Sequence, residues 1–227
     1  MKLALIGGGN MGGALLKALV KSNTLAASDT LLIEPDSGKR ESLVRETGCR
    51  AKASIDDEIA GADCLLLAVK PQSATDVMPT LKPLLTGNPM LISVMAGVSM
   101  QSLEEGLGLK KLVRVMPNTP ALVGEGMSVY FASQAVNDKE REWIRKLFSS
   151  CGKCMEVESE NAIDAATAVS GSGPAYLFYL AEQMIEAAKN LGFQAEQGET
   201  LVKQTLKGAS LLPVSYTHLR AHETSDY

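Results

Sequence analysis

The chain has 227 residues, 45% hydrophobic, 21% charged and 4% aromatic, enough apolar material for a buried core. This excludes a disordered chain, a collagen-like repeat and a disulfide-dense miniprotein. A net charge of −4 without basic runs argues against a nucleic-acid partner, and no apolar run approaches the ~18 residues of a membrane span.

In chain order, MKLALIGGGNMGG opens with an apolar stretch too short for a signal peptide, so the cytoplasm is the expected compartment. Residues 2–6 read as a buried strand. Residues 11–21 read as a helix with Leu15, Leu16, Leu19 and Val20 on one side. A second strand falls at 31–33 and a polar helix at 38–46. Ser54 is the expected N-cap of a helix led by Asp56, Asp57 and Glu58. Residues 64–69 form the clearest buried strand, stopped by Lys70 and Pro71. Residues 73–85 read as helical, interrupted at Pro79 and Pro83. Strands at 91–94 and 112–115 flank a helix over Met100–Leu107. A strand at 127–131, a charged amphipathic helix at 138–148 and a short strand at 155–157 follow. From Asn161 the pattern is wholly helical: 162–169, then 175–191 behind Pro174, then 199–212. Alternating strands and helices predict an α/β fold with a mostly parallel sheet covered on both faces. The expected organisation is a dinucleotide-binding domain at 1–158 and a helical domain at 159–212.

Residues 213–227 break the helical pattern. Val214 to Thr224 matches one translated frame of a common sequencing adapter, so this stretch is expected to be a non-native tail. Both histidines, His218 and His222, fall in it. The remaining chain therefore has no histidine for acid–base work, and neither a catalytic side chain nor a metal site is assigned. Cys151 and Cys154 form a lone CxxC between a helix and a strand. Zinc would need about two further ligands, so the expected role is small residues at a turn.

Gly7, Gly9 and Gly12 form GxGxxG between a strand and a helix. Gly7 permits the tight turn, Gly9 lets the backbone approach a pyrophosphate, and Gly12 lets the helix pack on the sheet. With Asn10 and Met11, the helix N-terminus offers N–H groups to phosphate. Glu34 ends the second strand 22 residues after Gly12, where an acid accepts from adenosine ribose hydroxyls. Glu34 favours NADH; Lys39 and Arg40 would suit the 2′-phosphate of NADPH, so both cofactors stay open. Ala68, Val69, Lys70 and Pro71 end the central strand and should border the cofactor. Val94, Met95 and Ala96 occupy the same edge one unit later, where small residues admit a nicotinamide ring. Asn118 and Thr119 stand between two prolines in a preorganised pocket wall. Ser170 and Ser172 lie in a glycine–serine turn that leads into a helix, a place to hold a carboxylate.

IGGGNMGGAL, LLLAVKPQ, SVMAGVS, RVMPNTPALVGEG and SGSGPAY, in this order and spacing, resemble the pyrroline-5-carboxylate reductases from Met1 to about Leu212. The resemblance implies reduction of the cyclic imine 1-pyrroline-5-carboxylate to L-proline, the last step of proline biosynthesis, with NADPH or NADH as hydride donor. It implies a Rossmann-type NAD(P)-binding domain followed by an all-helical domain. It also implies a homo-oligomer in which helical domains interlock into dimers, and dimers join into rings. By match, residues 7–12 hold the pyrophosphate, and Ala68, Val69, Lys70, Pro71, Val94, Met95 and Ala96 neighbour the nicotinamide. In the family, a loop that would follow Leu212 holds the substrate carboxylate and sets a threonine at the ring nitrogen, so this chain is expected to turn over little. One position departs: the family asparagine near the adenosine ribose is Ile55 here. Two other readings stay in play. A β-hydroxyacid-dehydrogenase-like reductase would need a catalytic lysine on the long helix, where Lys189 stands at the far end. A non-catalytic nucleotide-binding module would have no use for the second turn at 170–173.

Overall fold

The computed structural model describes residues 1–212; the tail read at 213–227 lies outside them. The strands are β1 (Leu3–Ile6), β2 (Thr30–Ile33), β3 (Arg50–Lys52), β4 (Cys64–Leu67), β5 (Met90–Ser93), β6 (Leu112–Met116), β7 (Gly126–Ala132) and β8 (Gly152–Glu156). The helices are α1 (Asn10–Lys21), α2 (Ser37–Thr47), α3 (Ala74–Leu81), α4 (Met100–Leu107), α5 (Asp138–Ser149), α6 (Asn161–Ala166), α7 (Gly173–Asn190) and α8 (Ala195–Leu211).

One sheet runs β3-β2-β1-β4-β5-β6-β7-β8. The first six strands are mutually parallel, β7 is antiparallel to β6, and β8 is parallel to β7. β1, β2, β4, β5 and β6 are buried at every residue, because helices cover both faces and leave no solvent side to alternate with. Leu3 and Leu5 turn to one face, with Leu15, Leu16 and Leu19 of α1 and Ile144, Leu147 and Phe148 of α5. Ala4 and Ile6 turn to the other, with Leu81 of α3 and Leu103 and Leu107 of α4. Each such leucine contributes roughly 1.5–3 kcal/mol by leaving water.

Chain contacts divide the molecule into two compact units, Met1–Ser172 and from Gly173 onward. The helical pattern begins earlier, near Asn161, but α6 stays with the sheet. Ile163 packs with Met116 and Val129, and Arg114 on β6 donates to Glu160 and Asp164. The second unit is an α7–α8 hairpin closed around Ala188, Gly198 and Val202.

Four local readings are corrected. Ser54 caps nothing; Asp56 caps a short 3-10 turn at Asp57–Gly61, its carboxylate accepting from Glu58 N at 3.1 Å. The helix read at 162–169 is α6 followed by a π turn at Thr167–Gly171. Pro174 lies inside the first turn of α7 rather than ahead of it. α8 begins at Ala195, behind a capping box of Gln194 and Gln197, rather than at Glu199. Its early Gly198 allows the approach to Ala188, where a Cβ would lie 3.4 Å from the alanine Cβ.

Candidate functional site

Backbone hydrogen bonds bring four strand ends level. Gly7 N donates to Ile33 O at 2.9 Å, Ala68 N to Ile6 O at 2.8 Å, Val94 N to Leu67 O at 3.0 Å and Glu34 N to Lys52 O at 3.0 Å. The glycine turn, Glu34, residues 68–71 and residues 94–96 therefore share one edge. The sheet order reverses between β1 and β4, which opens the crevice where α/β sheets take ligands.

The three motif glycines occupy three different environments. Gly7 has φ 103°, and a Cβ there would lie 2.6 Å from Ala68 O. A Cβ on Gly12 would overlap Gly7 O and sit 3.0 Å from Ala68 Cβ. A Cβ on Gly9 would meet nothing within 4 Å. Gly9 is also the N-cap of α1 and brings no side-chain acceptor to its first turn. The turn is thus closed toward the protein at Gly7 and Gly12 and open outward at Gly9, the shape a pyrophosphate requires.

Glu34 is 6% exposed. Its Oε2 accepts from Gly8 N at 2.6 Å and its Oε1 from Asp36 N at 3.0 Å. Asp36 caps α2 by accepting from Lys39 N at 2.9 Å, and that N–H bond holds its carboxyl below the usual aspartate range. Arg40 Nη1 donates to Glu34 O at 2.8 Å and Pro35 O at 3.1 Å. Ile55 packs against the core.

On the other flank, Ala68 and Val69 are half-buried and Lys70 is exposed. Lys70 leads a short turn at Pro71–Ser73, its carbonyl accepting from Ser73 N at 2.9 Å. Val94 is half-buried and Ala96 exposed, but the Met95 side chain is buried in the core beneath. Met95 thus faces the edge with its main chain.

Asn118 is 9% exposed and bonded at both ends of its amide. Nδ2 donates to Ser170 O at 2.9 Å, and Oδ1 accepts from Met127 N at 2.8 Å. One side chain thereby joins the end of β6, the start of β7 and the π turn. Thr119 is exposed beside it. In the π turn, Ser172 N donates to Thr167 O at 2.7 Å and Ser170 Oγ to Ala166 O at 3.1 Å. Such single-turn widenings recur at functional sites. Asn118 is thereby bonded to the turn that carries Ser170 and Ser172, within the first unit.

Two contributors escaped the sequence reading. Gly8 donates to Glu34, and a Cβ on it would lie 2.8 Å from Leu43 Cδ1; three successive glycines were the available signal. Arg114 is 4% exposed, donates to Glu160 Oε1 at 3.0 Å and to Asp164 Oδ1 at 2.8 Å, and anchors α6 before the π turn. Its Nε has no partner among the described residues. An arginine inside the apolar run LVRVM was the signal there. An open groove of about 1220 Å³ starts at Gly8, Gly9 and Asn10 and runs along α1 and α2 past Lys39. Neither Ala68 nor Val94 lines it, so strand-end geometry defines the site better than this hollow does.

Cys151 is buried at the α5–β8 junction, and burial pushes its thiol up. Cys154 packs against the core and is pushed up to about 11, also by burial. Lys189, in the last turn of α7, pairs with Glu186 at 3.2 Å.

A family model for pyrroline-5-carboxylate reductase dimerisation matches residues 160–226, and one for coenzyme F420-dependent NADP oxidoreductases matches residues 2–97. The chain is 36% identical to a pyrroline-5-carboxylate reductase of Pseudomonas aeruginosa over 215 residues, covering 94% of this chain and 78% of that protein. Among solved structures, a pyrroline-5-carboxylate reductase from Coxiella burnetii superposes with a TM-score of 0.84 at 32% identity, over 92% of this chain and 78% of that one. The Plasmodium falciparum pyrroline carboxylate reductase, solved with NADP bound, gives 0.81 at 35% identity, over 92% and 77%.

Proposed function

The chain belongs to the pyrroline-5-carboxylate reductase family, and from that premise we propose how its sheet edge reduces 1-pyrroline-5-carboxylate to L-proline with NADH or NADPH. The glycine turn between β1 and α1 carries the reading: closed at Gly7 and Gly12, open at Gly9, and set where the sheet order reverses. The bound cofactor supplies a hydride to the imine carbon while the ring nitrogen takes one proton. The protein holds and orients. Gly9, Asn10 and Met11 present main-chain N–H groups to the pyrophosphate. Glu34 accepts from ribose hydroxyls. Ala68, Val69, Lys70, Pro71, Val94, Ala96 and the main chain of Met95 flank the nicotinamide. Thr119, Ser170 and Ser172 face the substrate carboxylate, and Asn118 fixes the turn that carries the two serines.

Assembly as a homo-oligomer, a dimer or a ring of dimers, is supported by an apolar run on α7. Tyr176, Leu177, Phe178, Tyr179 and Leu180 are 47–66% exposed, within the segment matched by the dimerisation model. A reducing, cytoplasmic setting is supported by four free cysteines. No described helix is long and apolar enough to cross a membrane, and neither nucleic acid nor membrane is proposed as a partner.

The test incubates the purified chain with reduced cofactor and the imine and measures L-proline. The expected result is proline formed one for one with cofactor oxidised, however slow the turnover. Ser170→Ala is expected to raise KM for the imine while leaving cofactor affinity unchanged. Saturable cofactor binding with no proline formed would contradict the catalytic reading.

A further inference from the structure

This inference rests on the cofactor reading of residues 7–12 and deepens it. NADH and NADPH differ at one place, a ribose 2′-hydroxyl against a 2′-phosphate. In dinucleotide folds the residue that ends the second strand meets that group. Here it is Glu34, and its carboxylate is immobilised. Oε2 accepts from Gly8 N at 2.6 Å and Oε1 from Asp36 N at 3.0 Å. A Cβ on Gly8 would lie 3.2 Å from Oε2, so the carboxylate rests against the glycine turn itself. Each oxygen keeps acceptor capacity for one more donor. A hydroxyl supplies such a donor; a phosphate brings only acceptors and a like charge.

The nearby cations do not offset this. Arg40 directs Nη1 onto the carbonyls of Glu34 and Pro35 at 2.8 and 3.1 Å, which ties its guanidinium to the strand end. Lys39 is exposed, and the Asp36 carboxylate lies within electrostatic reach of its charge. Asp36 adds a second carboxylate two residues from the first. We infer that Glu34, seconded by Asp36, makes this chain selective for NADH by accepting the ribose 2′-hydroxyl and repelling a 2′-phosphate.

The test titrates the purified chain with NADH and NADPH by nicotinamide fluorescence, and with adenosine monophosphate with and without a 2′-phosphate. Circular dichroism monitors the fold. NADH is expected to bind at least about tenfold tighter, with the same order for the fragments. Glu34→Gln removes the charge but turns an amide NH2 toward Gly8 N or Asp36 N, so both cofactors are expected to weaken, NADH more than NADPH, and the ratio to fall to about threefold or less. Because Glu34 is buried, Asp36→Asn serves as a second probe, since asparagine keeps the helix cap. It is expected to tighten NADPH about twofold without changing NADH. Arg40→Ala is expected to change both affinities by the same factor. Equal or tighter NADPH binding by the unaltered chain would overturn the inference while leaving the cofactor reading intact. So would a loss confined to NADPH in Arg40→Ala. A folded chain that binds neither cofactor would overturn the cofactor reading itself, and this inference with it.

Discussion

Asn118→Asp changes one amide nitrogen to oxygen and leaves no cavity. Oδ1 can still accept from Met127 N. The other oxygen then faces Ser170 O across the 2.9 Å that Nδ2 now bridges. The π-turn carbonyl loses its donor and meets an acceptor. An unsatisfied buried group costs about 1–3 kcal/mol, and a charge raises the figure, so about 3 kcal/mol is expected near neutral pH. That corresponds to a fall in Tm of roughly 6–12 °C for a chain of this size. Burial and the facing carbonyl raise the folded-state pKa of the new carboxyl above its unfolded value of about 3.9. The deficit against the unaltered protein should therefore vanish below the unfolded pKa, where a protonated carboxyl donates to Ser170 O in the amide's place. It should grow as pH rises through the folded pKa. Asn118→Ala loses both bonds and titrates nothing, so its deficit should not vary with pH. Denaturant midpoints of the three proteins, taken from about pH 3 to about pH 8, read this directly. A variant carboxyl that costs less than about 0.5 kcal/mol near neutrality, or the same at both ends, would refute the clamp assigned to Asn118.

Gly9→Ala should fold with a Tm lowered by no more than a few degrees, because its Cβ meets nothing within 4 Å and only the N-cap of α1 is weakened, yet weaken cofactor binding at least about thirtyfold by blocking the phosphate. Gly12→Ala should lose stability as well, since its Cβ overlaps Gly7 O; thermal melts separate the two. Burial raises Cys64, Cys151 and Cys154, the last to about 11. At about pH 8 these thiols should react with a disulfide reagent at least about a hundredfold more slowly in the folded chain than in denaturant. Lys52 holds Asp56 and Glu58 below their usual values by side-chain hydrogen bonds. Depressed carboxyl pKa values give stability that is present above the unfolded values and lost as pH falls through the folded ones. Lys52→Met should therefore flatten the loss of stability with acid below about pH 4.5, measured by denaturant midpoints.

The sequence reveals most where causes are local. β4 is readable as an apolar run because a parallel strand buried on both faces carries no polar alternation. The glycine motif is readable because its three glycines, each with its own demand for space or turn, lie within six residues. Glu34 follows from spacing alone. β3 is not readable: it is three residues long, carries Arg50 and Lys52, and exists because β2 offers it a ladder. The reversal at β7 is silent too, since hydrophobic pattern is indifferent to strand direction. Ser54 and Asp56 are both good caps, and only the path of the chain decides between them. The tertiary parts of the site stay hidden for the same reason. Asn118 reaches partners 9 and 52 residues away, and Arg114 reaches partners 46 and 50 residues away. Pairings at such distances leave no periodicity in the chain. The Met95 side chain is the converse case: the motif spacing says nothing of which way it turns, and it is buried in the core.

The most direct test is a crystal structure of this chain with reduced cofactor bound. The account predicts the pyrophosphate against the main-chain N–H groups of Gly9, Asn10 and Met11. It places the ribose hydroxyls on Glu34 and the nicotinamide between residues 68–71 and 94–96. Cofactor seated instead in the groove along α1 and α2, with its phosphates away from Gly9, would contradict it.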